Sequence, residues 1–101
     1  MTTRMTTLND KNFTAEVTRS KKPVLVEVGS GRSGVSPVAA VGSHLRGAIK
    51  CCKINPAVSP TLVKKCKVQS LPTVFVYNQG TVTDTIVGDV KPEQLMGILF
   101  N

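Results

Sequence analysis

The sequence contains few of the residues that would identify a function directly. Its 101 residues include three phenylalanines, one tyrosine, no tryptophan, one histidine and three cysteines. No run of about 18 apolar residues is present, and no charged start leads into a long hydrophobic stretch. These absences argue against a transmembrane helix and a signal peptide, so a cytoplasmic location without membrane association is expected.

The charge of the chain is strongly unbalanced. Thirteen Lys and Arg residues face six Asp and Glu residues, which gives a formal net charge of +7. Such an excess favours acidic partners through long-range attraction. The basic residues occur in scattered pairs, such as Lys21-Lys22 and Lys64-Lys65, and the few aromatic residues do not alternate with them. Nucleic-acid binding is therefore not expected.

The three cysteines and the histidine do not form a recognisable site. Cys51, Cys52 and Cys66 match neither a disulfide framework nor paired Cys-x-x-Cys metal ligands, and buried free thiols are expected. A disulfide between the adjacent Cys51 and Cys52 is opposed, because an extended strand points successive side chains to opposite faces. His44 has no partner at ligand or triad spacing and is expected on the surface. The sequence predicts no metal and no cofactor.

The apolar pattern predicts one α/β domain over residues 1–101. A short helix over residues 8–20, capped by Asn9 or Asp10, precedes a buried strand over residues 24–28. The later predicted elements are a helix over 37–46, a strand over 48–55, a basic helix over 61–66, a hairpin pairing 73–77 with 81–87, and a closing helix over 91–100. The first two strands are expected to be parallel and the hairpin antiparallel.

The stretch around which the chain is organised is residues 24–37. Within its apolar strand Glu27 is the exception, and the pKa of this acid is expected to rise with burial. A Gly/Ser-rich loop follows and ends in Ser36-Pro37, a favourable N-cap and first residue for a helix. Loops between a strand and a helix are where α/β proteins place their chemistry.

This stretch resembles the active-site region of the thioredoxin family, in which a strand with a buried acid leads into Trp-Cys-Gly-Pro-Cys. Aligned without a gap, Ser33-Gly34-Val35-Ser36 stands in place of Cys-Gly-Pro-Cys, Arg32 in place of the tryptophan, and Glu27 in place of the acid. Leu71-Pro72-Thr73 is similar to the family's Ile-Pro-Thr, whose proline is cis and faces the redox loop. Gly88 matches a family glycine that keeps the groove open.

The resemblance implies a thioredoxin-like fold, a central mixed sheet flanked by helices. It places Ser33 and Ser36 at the positions of the redox cysteines, with Glu27 and Lys53 paired beneath them. It also implies a peptide groove formed by Arg32, Gly34, Val35, Leu71, Pro72, Thr73 and Gly88. The implied partners of this monomer are disulfide-bearing or acidic proteins, together with a thioredoxin reductase for a cysteine-containing parent.

The two serines leave two functions open. A hydroxyl cannot form a disulfide, and it is a poor nucleophile without a base, so dithiol exchange is not expected from this chain. In one explanation the chain derives from a protein-disulfide reductase whose redox cysteines were replaced by experiment. In the other, the serines are natural and the protein is a redox-inactive module that binds peptides or a partner through the groove.

Overall fold

The computed structural model describes residues 4–29 and 36–100. Its five strands form one sheet in the order β1-β3-β2-β4-β5, in which β1, β3 and β2 are parallel and the β4-β5 hairpin is antiparallel. The predicted mixed sheet with flanking helices is confirmed. The elements are β1 (Thr6–Thr7), a π-helical segment (Thr14–Thr18), β2 (Val24–Val28), α1 (Pro37–Leu45), β3 (Lys50–Ile54), α2 (Pro60–Lys65), β4 (Thr73–Asn78), β5 (Thr81–Val87) and α3 (Pro92–Leu99).

Strand β2 lies at the centre of the sheet, between β3 and β4, and all five of its residues are buried. Val24, Val26 and Val28 point to one face, where they pack with residues of the π-helical segment and α2. Leu25 points to the other face and packs with residues of α1 and α3. Alternation along one strand therefore supplies both cores, and the end of β2 is held between two packed layers.

The N-terminal part of the chain differs most from its prediction. Instead of a helix over residues 8–20, the structure has a turn followed by the π-helical segment, in which the Arg19 amide donates to the Thr14 carbonyl at 2.9 Å. The predicted N-cap at Asn9 or Asp10 is wrong, because the segment begins after Phe13 and has no side-chain cap. Asn9 instead closes the preceding turn, where its Oδ1 accepts from the amides of Lys11 and Asn12 at 2.8 and 3.0 Å. The two-residue strand β1 was not predicted, since so short a segment shows no alternation of apolar and polar residues.

The structure confirms that Cys51 and Cys52 are buried free thiols. They point to opposite faces of β3, Cys51 towards the cluster of Leu25 and Cys52 towards that of Val26, so they cannot pair with each other. Burial raises the pKa of Cys51 to about 11 and that of Cys52 to about 12. Cys66 is half-buried, and burial raises its pKa as well.

The exposure of His44 and the lengths of the helices both bear on predictions made from the sequence. His44 lies exposed on α1, as expected from its isolation in the sequence. Across residues 4–29 and 36–100, no helix has the length and apolar character needed to cross a membrane.

Candidate functional site

The candidate site lies at the carboxyl end of β2, where the chain enters the loop before α1. The predicted site residues Arg32, Ser33, Gly34 and Val35 lie outside the described residues. Ser36, at the far end of that loop, is described. Its contacts can therefore be compared with the role that the resemblance implies for this position.

Ser36 is the N-cap of α1. Its Oγ accepts a hydrogen bond from the Ala39 amide at 3.0 Å, and Pro37 occupies the first turn, as predicted. The same hydroxyl donates to Oε2 of Glu27 at 3.0 Å, while Sδ of Met5 lies 3.7 Å away. Since a hydroxyl has a single hydrogen to donate, the shorter contact with the carboxyl oxygen is the stronger one. Ser36 therefore links the helix start to the buried acid.

Glu27 is the buried acid predicted from the sequence, with 8% of its surface exposed. Burial raises the pKa of its carboxyl, and this effect outweighs the hydrogen bond from Ser36 and the positive charge of Lys53, both of which lower it. The loss of hydration penalises the charged form more than the two favourable interactions stabilise it. Glu27 consequently holds a proton to higher pH than an exposed glutamate.

The predicted pairing of Glu27 with Lys53 is not formed as a direct ion pair. The two residues are register partners on β2 and β3, and they share a face of the sheet. Lys53 is exposed, however, and the ion pairs formed among the described residues are Lys50–Glu16 and Lys65–Asp10. A strongly hydrated ammonium stays in water when burial would cost more than the contact returns, so Lys53 acts on Glu27 only through its longer-range field.

The predicted groove faces this site from the start of β4. The bond between Leu71 and Pro72 is cis, and the Pro72 carbonyl accepts from the Gly88 amide at 2.8 Å. Thr73 is buried, and its Oγ1 donates to the Ser70 carbonyl at 2.6 Å. These contacts hold the segment before β4 against the end of β5.

Gly29 brings the two sides of the groove together. It has φ +79°, and a Cβ added there would lie 3.2 Å from both Cβ and Cδ2 of Leu71. A side chain at this position would therefore need both a strained backbone and a displaced leucine. The absence of a Cβ allows Leu71 to approach the end of β2 closely.

Leu71 is the most accessible member of the groove that the structure describes. Its side chain is 52% exposed, although leucine usually favours burial. Within residues 4–29 and 36–100, neither its amide nor its carbonyl forms a backbone hydrogen bond. The groove thus presents an apolar side chain together with an unused backbone donor and acceptor.

The order of the sheet and the buried acid on β2 fit the family that the sequence resembles. The thioredoxin family model matches residues 4–100, nearly the whole chain. The chain belongs to the thioredoxin family. The resemblance read from residues 24–37 and 71–73 is confirmed by this match, and thioredoxins are protein-disulfide reductases as a family.

Individual thioredoxins support the assignment. A thioredoxin from Streptomyces clavuligerus is 37% identical, with 85% of this chain and 83% of that protein covered. A thioredoxin from Porphyra purpurea is 32% identical, with 91% of each covered. Chloroplastic thioredoxin M5 of Oryza sativa subsp. japonica is 31% identical over 90% of this chain, which spans only 56% of that longer protein.

Sequence reasoning missed two contacts of the candidate site. Met5 lies beside the Ser36 hydroxyl because β1 pairs with β3, and no sequence pattern signals that placement. Gly29 lies against Leu71, and here a signal existed, since a glycine directly after a buried strand often marks a positive φ or a close approach. Both residues act through tertiary contacts rather than through a local motif.

Glu27→Gln is expected to remove part of the pH dependence of stability. Because burial raises the pKa of Glu27 above its ordinary value of 4.5, the folded chain binds more protons than the unfolded chain as the pH rises past that value. The free energy of unfolding should therefore fall from pH 4.5 up through the raised pKa, with a slope of at most about 1.4 kcal/mol per pH unit.

Urea unfolding at a series of pH values measures this effect. The Glu27→Gln chain should lack the fall, while Glu93→Gln, a change at an exposed glutamate, should retain it. Parallel stability profiles for the unaltered chain and Glu27→Gln would show that Glu27 titrates alike in the folded and unfolded states.

Proposed function

We propose that this chain is a thioredoxin-type protein in which Ser33 and Ser36 replace the redox pair, so that it does not perform dithiol-disulfide exchange. The supporting observation is the Ser36 hydroxyl, which caps α1 and donates to Glu27. A thiolate at a helix N-terminus is the nucleophile of the exchange, and a second thiol must resolve the mixed disulfide. A hydroxyl preserves the capping geometry but cannot provide either sulfur.

The remaining thiols do not replace the missing pair. Cys51 and Cys52 are buried in opposite cores, and their raised pKa values keep them as neutral thiols near pH 7. Cys66 is half-buried beside Tyr77, and its pKa is also raised. Since the thiolate is the reactive form, none of the three has the environment of a redox cysteine.

Reduction of a protein disulfide by dithiothreitol tests this proposal. The assay is run at pH 7 under reducing conditions, which match the cytoplasmic location expected from the sequence. The chain should not increase the rate of disulfide reduction above the uncatalysed rate. A catalysed rate that disappears in Cys66→Ala would overturn the proposal, because it would assign the activity to the half-buried thiol.

A second candidate function, peptide or partner binding, is favoured by Leu71. Its amide and carbonyl have no backbone hydrogen-bond partner in the described part of the chain and can pair with an extended peptide, and its exposed side chain offers apolar contact beside Pro72. Backbone pairing of this kind supplies affinity without a covalent step. Arg32 and the net charge of +7 should bias such binding towards acidic peptides.

Peptide titrations test whether the groove binds a peptide. Acidic and neutral peptides of equal length are titrated at low and at high ionic strength. We expect the amide signals of Gly29, Leu71, Thr73 and Gly88 to shift, with the acidic peptide bound more tightly and losing affinity as salt rises. Leu71→Ala should weaken binding about fivefold, because apolar contact is lost.

Val82→Ala provides the matched control for this titration. Val82 is also an exposed apolar residue, but it pairs with Tyr77 at the opposite end of β4 from Thr73. Its truncation should leave affinity unchanged. Equal losses in both variants, or no shift at the groove with either peptide, would contradict a binding role.

A further inference from the structure

A second concave site lies at the opposite end of the sheet from Ser36. It is a cavity of about 720 Å³. Its lining residues come from the N-terminal segment, the loop before β2, the end of α1 and the start of β3, and they are Arg4, Thr6, Lys22, Gly42, Ser43, Arg46, Gly47, Ile49, Lys50 and Cys51. We call this cavity the basic cavity. Its volume falls in the range of cavities that hold small molecules, roughly 300 to 1,000 Å³.

The walls of the basic cavity carry one sign of charge. Arg4, Lys22, Arg46 and Lys50 line it, and no acid occurs among the described lining residues. Lys50 is partly neutralised, since its Nζ lies 3.4 Å from Oε2 of Glu16 and donates to the Glu16 carbonyl at 3.0 Å. The other three cations form no ion pair with any residue of the described chain.

The fold gathers these cations from distant positions. The turn after α1 places Arg46 at φ 47°, where its amide donates to the Gly42 carbonyl at 2.9 Å. The backbone of Lys22 is held by Ser20, whose hydroxyl donates to the Lys22 carbonyl at 2.9 Å. Lys50 begins β3, and its amide donates to the Pro23 carbonyl at 2.9 Å. Backbone hydrogen bonds therefore fix the positions of Lys22, Arg46 and Lys50.

The end of α1 opposes an anion only weakly. A helix C-terminus carries roughly half a negative charge. Two of its last carbonyls are already used, because Gly42 accepts from Arg46 and Leu45 accepts from the Ala48 amide at 3.1 Å. Three cations that form no ion pair within residues 4–29 and 36–100 exceed this partial charge, so the charges around the basic cavity favour an anion.

We propose that the basic cavity binds a small molecule bearing a diphosphate group. Two arginines offer planar forks that match phosphate oxygens, while Lys22 and Lys50 add point charges from other directions. Ile49 and Cys51 are buried residues that form an apolar floor, and the glycines at 42 and 47 leave room beside it. The floor suits an uncharged ring attached to the diphosphate. The site is separate from the groove at Leu71 and does not depend on the redox residues.

Titration with inorganic pyrophosphate and with a nucleoside diphosphate, followed by amide signals, tests the proposal on the unaltered chain. Shifts are expected at Thr6, Arg46, Gly47 and Lys50, with none at Thr73 or Gly88. Tighter binding of the nucleoside diphosphate would show that the apolar floor contributes. Equal affinity would support the diphosphate as the recognised group. Citrate serves as the carboxylate comparison and should bind more weakly than pyrophosphate.

Charge-removing variants distinguish the basic cavity from diffuse surface attraction. Arg46→Asn removes a positive charge and introduces a residue that tolerates the positive φ of this position. Lys22→Gln removes the charge of an exposed side chain. Each should lower pyrophosphate affinity by a factor of about three to ten, while Lys64→Gln, which removes an exposed charge on α2, should leave it unchanged. Equal losses in all three variants, citrate binding as tight as pyrophosphate, shifts spread over the surface, or no shift at all would overturn the proposal.

Discussion

Replacing both serines by cysteine, as Ser33→Cys with Ser36→Cys, is expected to create reductase activity in a chain that we propose to lack it. Position 36 caps α1, where the helix N-terminus stabilises a thiolate. Position 33 lies three residues earlier in the sequence and would supply the second thiol. Because loss of a nucleophile removes most of an enzyme's rate enhancement, the double variant should exceed the unaltered chain by on the order of 10³-fold or more.

Catalysed reduction of a protein disulfide by dithiothreitol measures this gain, and thiol titration before and after oxidation should show a reversible internal disulfide. The single changes Ser33→Cys and Ser36→Cys are the controls. Each lacks an internal resolving thiol, so its mixed disulfide must be resolved by dithiothreitol, and turnover should be much slower than in the double variant. If the double variant formed no internal disulfide, the loop would lack the geometry of the family, and the proposal of a reductase disabled only by its serines would be wrong.

Leu25→Ala is expected to destabilise the fold more than any change in the groove. Leu25 is fully buried at the centre of β2, where it packs with α1 and α3. Truncation of such a leucine costs about 2 to 5 kcal/mol, because both its transfer from water and the packing around it are lost. A domain of this size has a free energy of unfolding of about 5 to 15 kcal/mol, so a large share of its stability should disappear.

Urea unfolding measures this loss. The Leu25→Ala chain should unfold at a lower urea midpoint, with an m-value equal to that of the unaltered chain. Leu71→Ala is the matched control, since it removes the same atoms from a side chain that is 52% exposed. That change should stay within about 0.5 kcal/mol of the unaltered chain. Similar losses in the two variants would mean that Leu25 does not occupy the core of the sheet.

The main features of the fold were predictable because they depend on local patterns. The apolar run of β2, the Ser36-Pro37 start of α1 and the turn at Gln79-Gly80 are each encoded within a few residues. The π-helical segment was not predictable, since the sequence around Phe13 and Val17 is equally compatible with an ordinary helix and its packing against the sheet determines the outcome.

The sequence by itself determined the family, the buried acid and the loss of sulfur at positions 33 and 36, because these are properties of residue type and spacing. The tertiary structure alone decided which groups meet. It gave Glu27 a hydroxyl from Ser36 instead of an ammonium from Lys53, and it placed Met5 beside that hydroxyl. It also gathered four distant cations around the basic cavity. Side-chain contacts between residues far apart in sequence depend on strand register and on the desolvation cost of each charged group. A local sequence pattern specifies neither of these.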